Sequence, residues 1–237
     1  MPTSNRGKEG KDDVFFGSQK SQKSIQEAVK DYSYLLTRGF AEKSSLALVG
    51  NRYRLSSRQQ KAVRGMSESS EKLLSREAKR IEIDALKNQT VIIDGFNLLI
   101  LLESALSGAY IFEGLDGCYR DLSSVQGTYK RVHQTQLAIQ LVAEILYTRQ
   151  VAKTIWVFDK PVSNSGRLKQ LLQEFAEQNN YAWEVVLKDR TDHFLGESQH
   201  VVISSDSWVL DQSKAWFNLA KVIIEKHIEN PCIVHGV

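Results

Sequence analysis

The sequence predicts an α/β protein built on a parallel sheet and preceded by a small all-helical segment. Three observations carry this. Short β-branched or aromatic runs, Thr90–Ile93, Thr154–Phe158, Tyr181–Leu187 and Val201–Ile203, each stop at or near an aspartate. Stretches with helical spacing of apolar residues, 135–149, 165–178 and 209–226, lie between and after them. Apolar strands alternating with amphipathic helices indicate a parallel sheet covered on both faces. The first third of the chain, by contrast, shows only the 3.6-residue period.

The elements follow in order. Residues 1–24 are rich in Lys, Ser, Gly and Gln and read as a disordered tail without the apolar core of a signal peptide. Residues 25–87 read as a basic helical domain. Ser24 and Glu27 make a capping box ahead of Ile25, Ala28, Val29, Tyr32, Leu35 and Leu36, and Gly39 stops that helix. Further helices are expected after Ser44, after Ser56 or Ser57, and from Ser69 to about Leu86. Residues 88–237 form the α/β part, with Cys232–Val234 as a fifth strand. Residues 108–131, rich in Gly and Tyr, fit neither period and are expected to be a long loop. The four tryptophans, Trp156, Trp183, Trp208 and Trp216, are read as core.

Composition narrows the function classes. Hydrophobic residues make up 42% and charged residues 25%, ordinary for a globular chain with a sizeable core. The longest apolar run of the α/β part, Leu98–Leu102, is too short to span a bilayer, so no membrane partner is expected. Cys118 and Cys232 belong to no paired motif and read as the reduced thiols of a cytoplasmic protein. No histidines are spaced for zinc, no phosphate-binding Gly-rich loop is present, and position 96 is Phe where a phosphatase of the haloacid type needs a second Asp. The net charge of +3 hides an asymmetry: residues 1–88 hold 18 Lys/Arg against 11 Asp/Glu, and the remainder 13 against 17. A basic segment joined to an acidic one suggests that one holds a polyanion and the other cations.

The acids carry the chemistry. Asp94, Asp159, Asp192 (with Asp189) and Asp206 each follow a strand. Ligands of open parallel sheets bind beyond the carboxyl ends of the strands, so these carboxylates are expected to converge. Crowded carboxylates repel unless a cation lies between them, and hard oxygen donors favour Mg²⁺ or Mn²⁺. Such ions hold phosphate oxygens and orient water for in-line displacement. Asp94 and Asp206 have a simpler alternative role as helix caps, and Asp211 as a solvated first-turn acid. Ser163, Asn164 and Ser165 open a helix beside Lys160 and Arg167, as caps or as an anion site.

These residues also carry a resemblance. Val91-Ile-Ile-Asp-Gly-Phe-Asn-Leu-Leu99 resembles the first strand of PIN-like, NYN-type ribonucleases, and Trp156-Val-Phe-Asp159, Thr191-Asp-His-Phe-Leu195 and Val202-Ile-Ser-Ser-Asp206 resemble their later acidic elements, in the same order. Over residues 25–225 the chain is more similar still to a two-part family, domain of unknown function four hundred and thirty-four with a PIN-like C-terminal partner. That likeness rests on Arg38-Gly39, Ala47-Leu-Val-Gly-Asn-Arg-Tyr53, Asp159-Lys-Pro-Val-Ser-Asn-Ser-Gly-Arg167 and Ser204-Ser-Asp-Ser-Trp-Val-Leu-Asp211. The resemblance implies a Rossmann-like three-layer fold and a metal-dependent endoribonuclease, with Asp94, Asp159, Asp192 and Asp206 as metal ligands and catalytic acids. The candidate substrate residues are Asn97, Arg120, Lys130, Arg131, Lys160, Ser163, Asn164, Arg167 and Ser205, with Arg52, Arg54 and Arg58 on the basic helices. RNA is the implied partner, and a homodimer is left open. The alternative is a catalytically inactive PIN-like scaffold that binds RNA or protein.

Overall fold

Serines set out the N-terminal helices. In the computed structural model, which describes residues 6–123 and 129–237, α1 (Asp12–Phe16) leads into α2 (Gln19–Thr37), α3 (Glu42–Arg52), α4 (Ser57–Met66) and α5 (Ser70–Lys79). Ser18 caps α2 by accepting from the amide of Ser21, Ser56 and Gln59 close a capping box on α4, and Ser69 caps α5. Helix α2 therefore starts more than a turn before Ser24. Its end is where the sequence places it: Gly39 adopts φ +77, which only glycine takes without strain.

The disordered-tail reading of residues 1–24 is corrected for 6–24, and 1–5 lie outside the described residues. Phe16 is fully buried, with its ring 4.8 Å from Phe112 and 5.5 Å from Tyr110. Asp12 is buried too and receives Arg58. Three apolar residues, Val14 to Phe16, are diluted in a polar window, so composition missed a segment that long-range packing orders.

A 3₁₀ turn at Ile83–Leu86 delivers the chain to β1 (Thr90–Asp94) and then α6 (Gly95–Leu106). Two short strands follow, β2 (Ile111–Glu113) and β3 (Tyr119–Arg120), then α7 (Thr135–Thr148), β4 (Lys153–Asp159), α8 (Ser165–Asn179) and β5 (Trp183–Lys188). The chain closes with α9 (Thr191–Gly196), β6 (Val201–Ile203), α10 (Ser207–Gln212), α11 (Leu219–His227) and β7 (Ile233–His235). Part of the expected 108–131 loop is thus sheet, and 124–128 lie outside the described residues.

The main sheet has four parallel strands in the order β5-β4-β1-β6. Counted along the chain this is 3-2-1-4, the order that begins a Rossmann-like sheet. Alternate residues of β1 explain its unbroken apolar run: Val91 and Ile93 join the large core with Trp156 and Phe158, while Ile92 joins the opposite core with Val157, Leu195 and Trp216.

Two sequence expectations fail here. Residues 232–234 do not extend the parallel sheet; β7 pairs with β2 in a second, three-stranded sheet, Ile233 opposite Ile111. The expected helix over 209–226 breaks into α10 and α11, because Trp216 pairs with Val202 and Arg80 at the sheet edge and its indole donates to the Arg76 carbonyl at 2.8 Å. The helical segment 25–87 also shares its core: Ile25, Val29, Tyr32 and Val63 pack with Phe112 and Val234 of the second sheet.

Candidate functional site

The direction of strand addition reverses between β1 and β6, since the chain steps from β1 to β4 and β5 on one side and returns to β6 on the other. A crevice opens at such a switch point beyond the strand ends. Asp94 ends β1 there, and Ser204, Ser205 and Asp206 follow β6. Gly95 lets the chain after β1 close up against β4: a Cβ at that position would lie 2.2 Å from the Phe158 ring.

The groups at the crevice hold one another. One Asp94 oxygen accepts from the Asn97 amide at 3.4 Å, capping α6, and the other accepts from the Ser204 hydroxyl at 2.9 Å. Asn97 Oδ1 accepts both the amide and the hydroxyl of Ser205, each at 2.8 Å. That fixes the orientation of the side chain and turns its Nδ2 donors away from Ser205. Asp206 Oδ1 caps α10 by accepting from the amides of Trp208 and Val209 at 2.9 and 3.1 Å.

Like charges crowd this end of the sheet. Asp94 is 7% exposed, and burial pushes its carboxyl up to about 7 despite the Ser204 hydrogen bond, with Asp206 and Asp192 adding repulsion. The Asp192 carboxyl, at the start of α9, is shifted upward by desolvation and by Asp206 and Asp159. Asp94, Asp192 and Asp206 therefore repel one another, and Asp159 acts on Asp192. Among the described residues no three His, Cys, Asp or Glu side chains are close enough to share one ion. The donor set suits a hard cation held by one or two carboxylates, with water and phosphate completing its shell, as Mg²⁺ is commonly held.

The other sequence candidates divide. Asn97, Ser205 and Asp206 line a cleft of about 570 Å³ whose far wall is built by α2 and α4. Arg120 also lines it but does not serve as a free substrate ligand: its guanidinium grips Asp116 with two bonds, at 2.8 and 2.6 Å, and donates to the Ser205 carbonyl at 2.9 Å. It holds the Ser205 turn in place. Asp116, drawn down to about 2 by Arg120 and Arg76 in spite of its burial, stays ionised. Arg76 is 1% exposed and binds Asp211, Asp116 and Glu68 at 2.6, 2.8 and 2.6 Å, so Asp211 is an ion-pair partner of α5 rather than a solvated acid.

Arg58 is likewise withdrawn from the basic surface, because Asp12 and Glu9 pair with it at 2.5 and 2.6 Å. Arg52 is exposed beside Asp31, and Arg54 is exposed. Lys130, Arg131, Lys160 and Arg167 are exposed as well. Ser163 and Asn164 do not cap α8: the Ser163 carbonyl accepts from the Tyr129 amide, and Asn164 Nδ2 donates to the Tyr129 carbonyl at 2.9 Å. They tie down the chain at Tyr129, a long-range role that local sequence cannot reveal. Sequence reasoning missed Ser204, whose signal was only its place beside Asp206. It also missed Trp208, which is 40% exposed where a core residue was expected.

The fold and site define an α/β protein with a four-stranded parallel sheet of Rossmann-like order, an N-terminal helical region and acids at its switch point. Residues 83–222 match the family described as a domain of unknown function (DUF5616), and the chain belongs to that family. Residues 24–79 match a second family, described as a protein of unknown function (DUF434), so the junction falls just after α5. The chain is similar to "Uncharacterized protein MJ0935" of Methanocaldococcus jannaschii, 32% identical over 187 residues that span 79% of this chain and 89% of the relative. No solved structure matches it. Among the described residues no helix is long and apolar enough to cross a membrane.

Proposed function

We propose that this protein is a metal-dependent ribonuclease of the PIN-like class, using Mg²⁺ or Mn²⁺ and cleaving within an RNA chain. The observation that carries the reading is Asp94: a nearly buried carboxylate, raised to about 7, facing Asp206 and Asp192 at the switch point. A fold tolerates such a costly group most readily where a ligand neutralises it. Asp94 and Asp206 would hold the ion, with water completing its shell, and Asp192 adds negative charge at the same end of the sheet. When bound, the ion would neutralise phosphate oxygens and polarise water. Asn97, with its Oδ1 committed to Ser205, offers Nδ2 as a neutral donor to a phosphate oxygen.

One observation favours the second reading, a PIN-like scaffold that binds RNA or protein without chemistry. Asp94 and Asp206 already cap α6 and α10, so both have structural work of their own. Cleavage of a pool of single-stranded and structured RNA, with Mn²⁺, Mg²⁺ or EDTA, decides between them. The nuclease reading expects metal-dependent cleavage that vanishes in the Asp94→Asn/Asp206→Asn double variant. Binding without cleavage in either metal would leave the scaffold.

A further inference from the structure

Trp208 is out of place for a tryptophan. It is 40% exposed, whereas Trp156 and Trp216 are fully buried. It lies in the first turn of α10, its amide bonded to Asp206, and it lines the cleft together with Asn97, Ser205 and Asp206. The indole is held from one side. Its Cζ3 would lie 3.3 Å from a Cβ at Gly196, and the His193 ring meets it edge-on at 4.7 Å. A Cβ at position 196 would meet the Gln212 Cβ at 2.8 Å and crowd the indole, so glycine lets α9 and α10 close up beneath the ring. A rigidly seated aromatic ring beside the candidate acids is a platform for stacking rather than packing.

The cations around the cleft divide. Lys72 is paired with Glu68 and Asp211 at 3.5 and 3.2 Å, Arg120 with Asp116 at 2.6 Å, and Lys61 Nζ donates to the Leu122 carbonyl at 2.8 Å. Arg120 and Lys72 are thus neutralised by carboxylates, while Lys61 and the exposed Arg64, 3.7 Å from Glu42, keep positive charge at the rim of the cleft. A cleft of about 570 Å³ has the size of a small-ligand pocket and admits a nucleotide or two, not a helix of paired strands.

We propose that Trp208 is the base-stacking platform of this cleft, on which an unpaired nucleotide of the substrate lays its base. The inference rests on the ribonuclease reading and adds to it a specificity-determining residue. A base inside a duplex is already stacked on its neighbours and offers no free face, whereas an unpaired one offers its face to the indole whatever its sequence.

Binding in EDTA tests this apart from cleavage. A labelled single-stranded RNA of about eight nucleotides, within the span one binding module covers, and the duplex of the same sequence are titrated by anisotropy with the full chain. The wild type is expected to bind the single strand more tightly than the duplex. Trp208→Ala weakens single-strand binding by about tenfold or more. Trp208→Phe restores most of it and confirms that a merely smaller side chain at that position leaves the fold intact. Equal affinity of Trp208→Ala and wild type, or duplex binding as tight as single-strand binding, would overturn the proposal. Single-strand binding through Trp208 without cleavage in any metal would sink the nuclease reading alone. Cleavage with Trp208→Ala binding unchanged would sink this inference alone.

Discussion

Ser205 gives both its backbone amide and its hydroxyl to a single atom, Oδ1 of Asn97, at 2.8 Å each. The bond pair joins the first turn of α6 to the turn after β6. It thereby fixes the switch-point crevice from both sides, 108 residues apart in sequence.

Removing that acceptor tests the brace. Ser205 is 6% exposed, so Asn97→Ala leaves its amide without a partner and is expected to destabilise by about 1–3 kcal/mol. Asn97→Asp keeps the acceptor but adds a charge beside Asp94 and Asp206, and loses the Nδ2 donor. Urea unfolding at neutral pH separates the two. An Asn97→Ala variant as stable as wild type would show that the brace contributes nothing.

Asp94 predicts an inverted pH dependence. Its folded value, about 7, lies above that of an unfolded carboxylate, so its contribution is fully present below about pH 4 and lost as pH rises through 7. Asp94→Asn should therefore gain on the wild type between pH 4 and 8, by an amount that solvent relaxation keeps to about 1–3 kcal/mol. Thermal midpoints at pH 4.5 and pH 8 measure it, the interval following from that window. A variant equally or more destabilised at pH 8 contradicts the assignment.

A divalent cation should remove the same penalty. If Mg²⁺ or Mn²⁺ binds the folded acids, a concentration ten times the dissociation constant stabilises by about 1.4 kcal/mol. The effect should be larger at pH 8 than at pH 5 and absent from Asp94→Asn/Asp206→Asn. A midpoint shift that survives in the double variant would place the ion elsewhere.

Arg76 is expected to be the most sensitive side chain outside the crevice. Arg76→Met leaves Asp116, Asp211 and Glu68 facing one another without their central cation, with a cost of about 3–5 kcal/mol. Arg76→Lys recovers little, since one ammonium cannot reproduce a planar fork with bonds in three directions. Denaturant midpoints give the comparison, and a Lys variant equal to wild type would refute the geometric argument.

Phe16 tests the corrected tail. A fully buried ring against Phe112 should cost about 3–5 kcal/mol when truncated to Ala, although it lies in a segment whose composition reads as disordered. Unfolding of Phe16→Ala at the wild-type midpoint would mean that the first helix does not pack in solution.

The strands and the acids were legible because each leaves a local trace. β1, β4 and β6 are apolar runs buried on both faces, β5 is a β-branched run at the sheet edge, and Asp94, Asp159 and Asp206 sit where the first three stop. The Gly39 stop and the Ser56 and Ser69 caps were readable for the same reason, since a cap is a matter of three or four adjacent residues. The role of Arg120 was not legible. An arginine in a Gly/Tyr-rich stretch looks like a ligand for phosphate, and only folding brings Asp116 and the Ser205 carbonyl to it. Arg58 misled in the same way, its partners Asp12 and Glu9 lying more than forty residues upstream.

By itself, then, the sequence determined the α/β class, the basic helical start and the row of carboxylates, because periodicity and strand-end residues are properties of neighbours along the chain. The tertiary structure decided which cations are free and which are spent on ion pairs, that β7 belongs to a second sheet, and that Trp208 faces a cleft instead of a core. Those outcomes depend on pairings between distant segments. A charge or an indole ring carries no local mark of which distant segment will reach it.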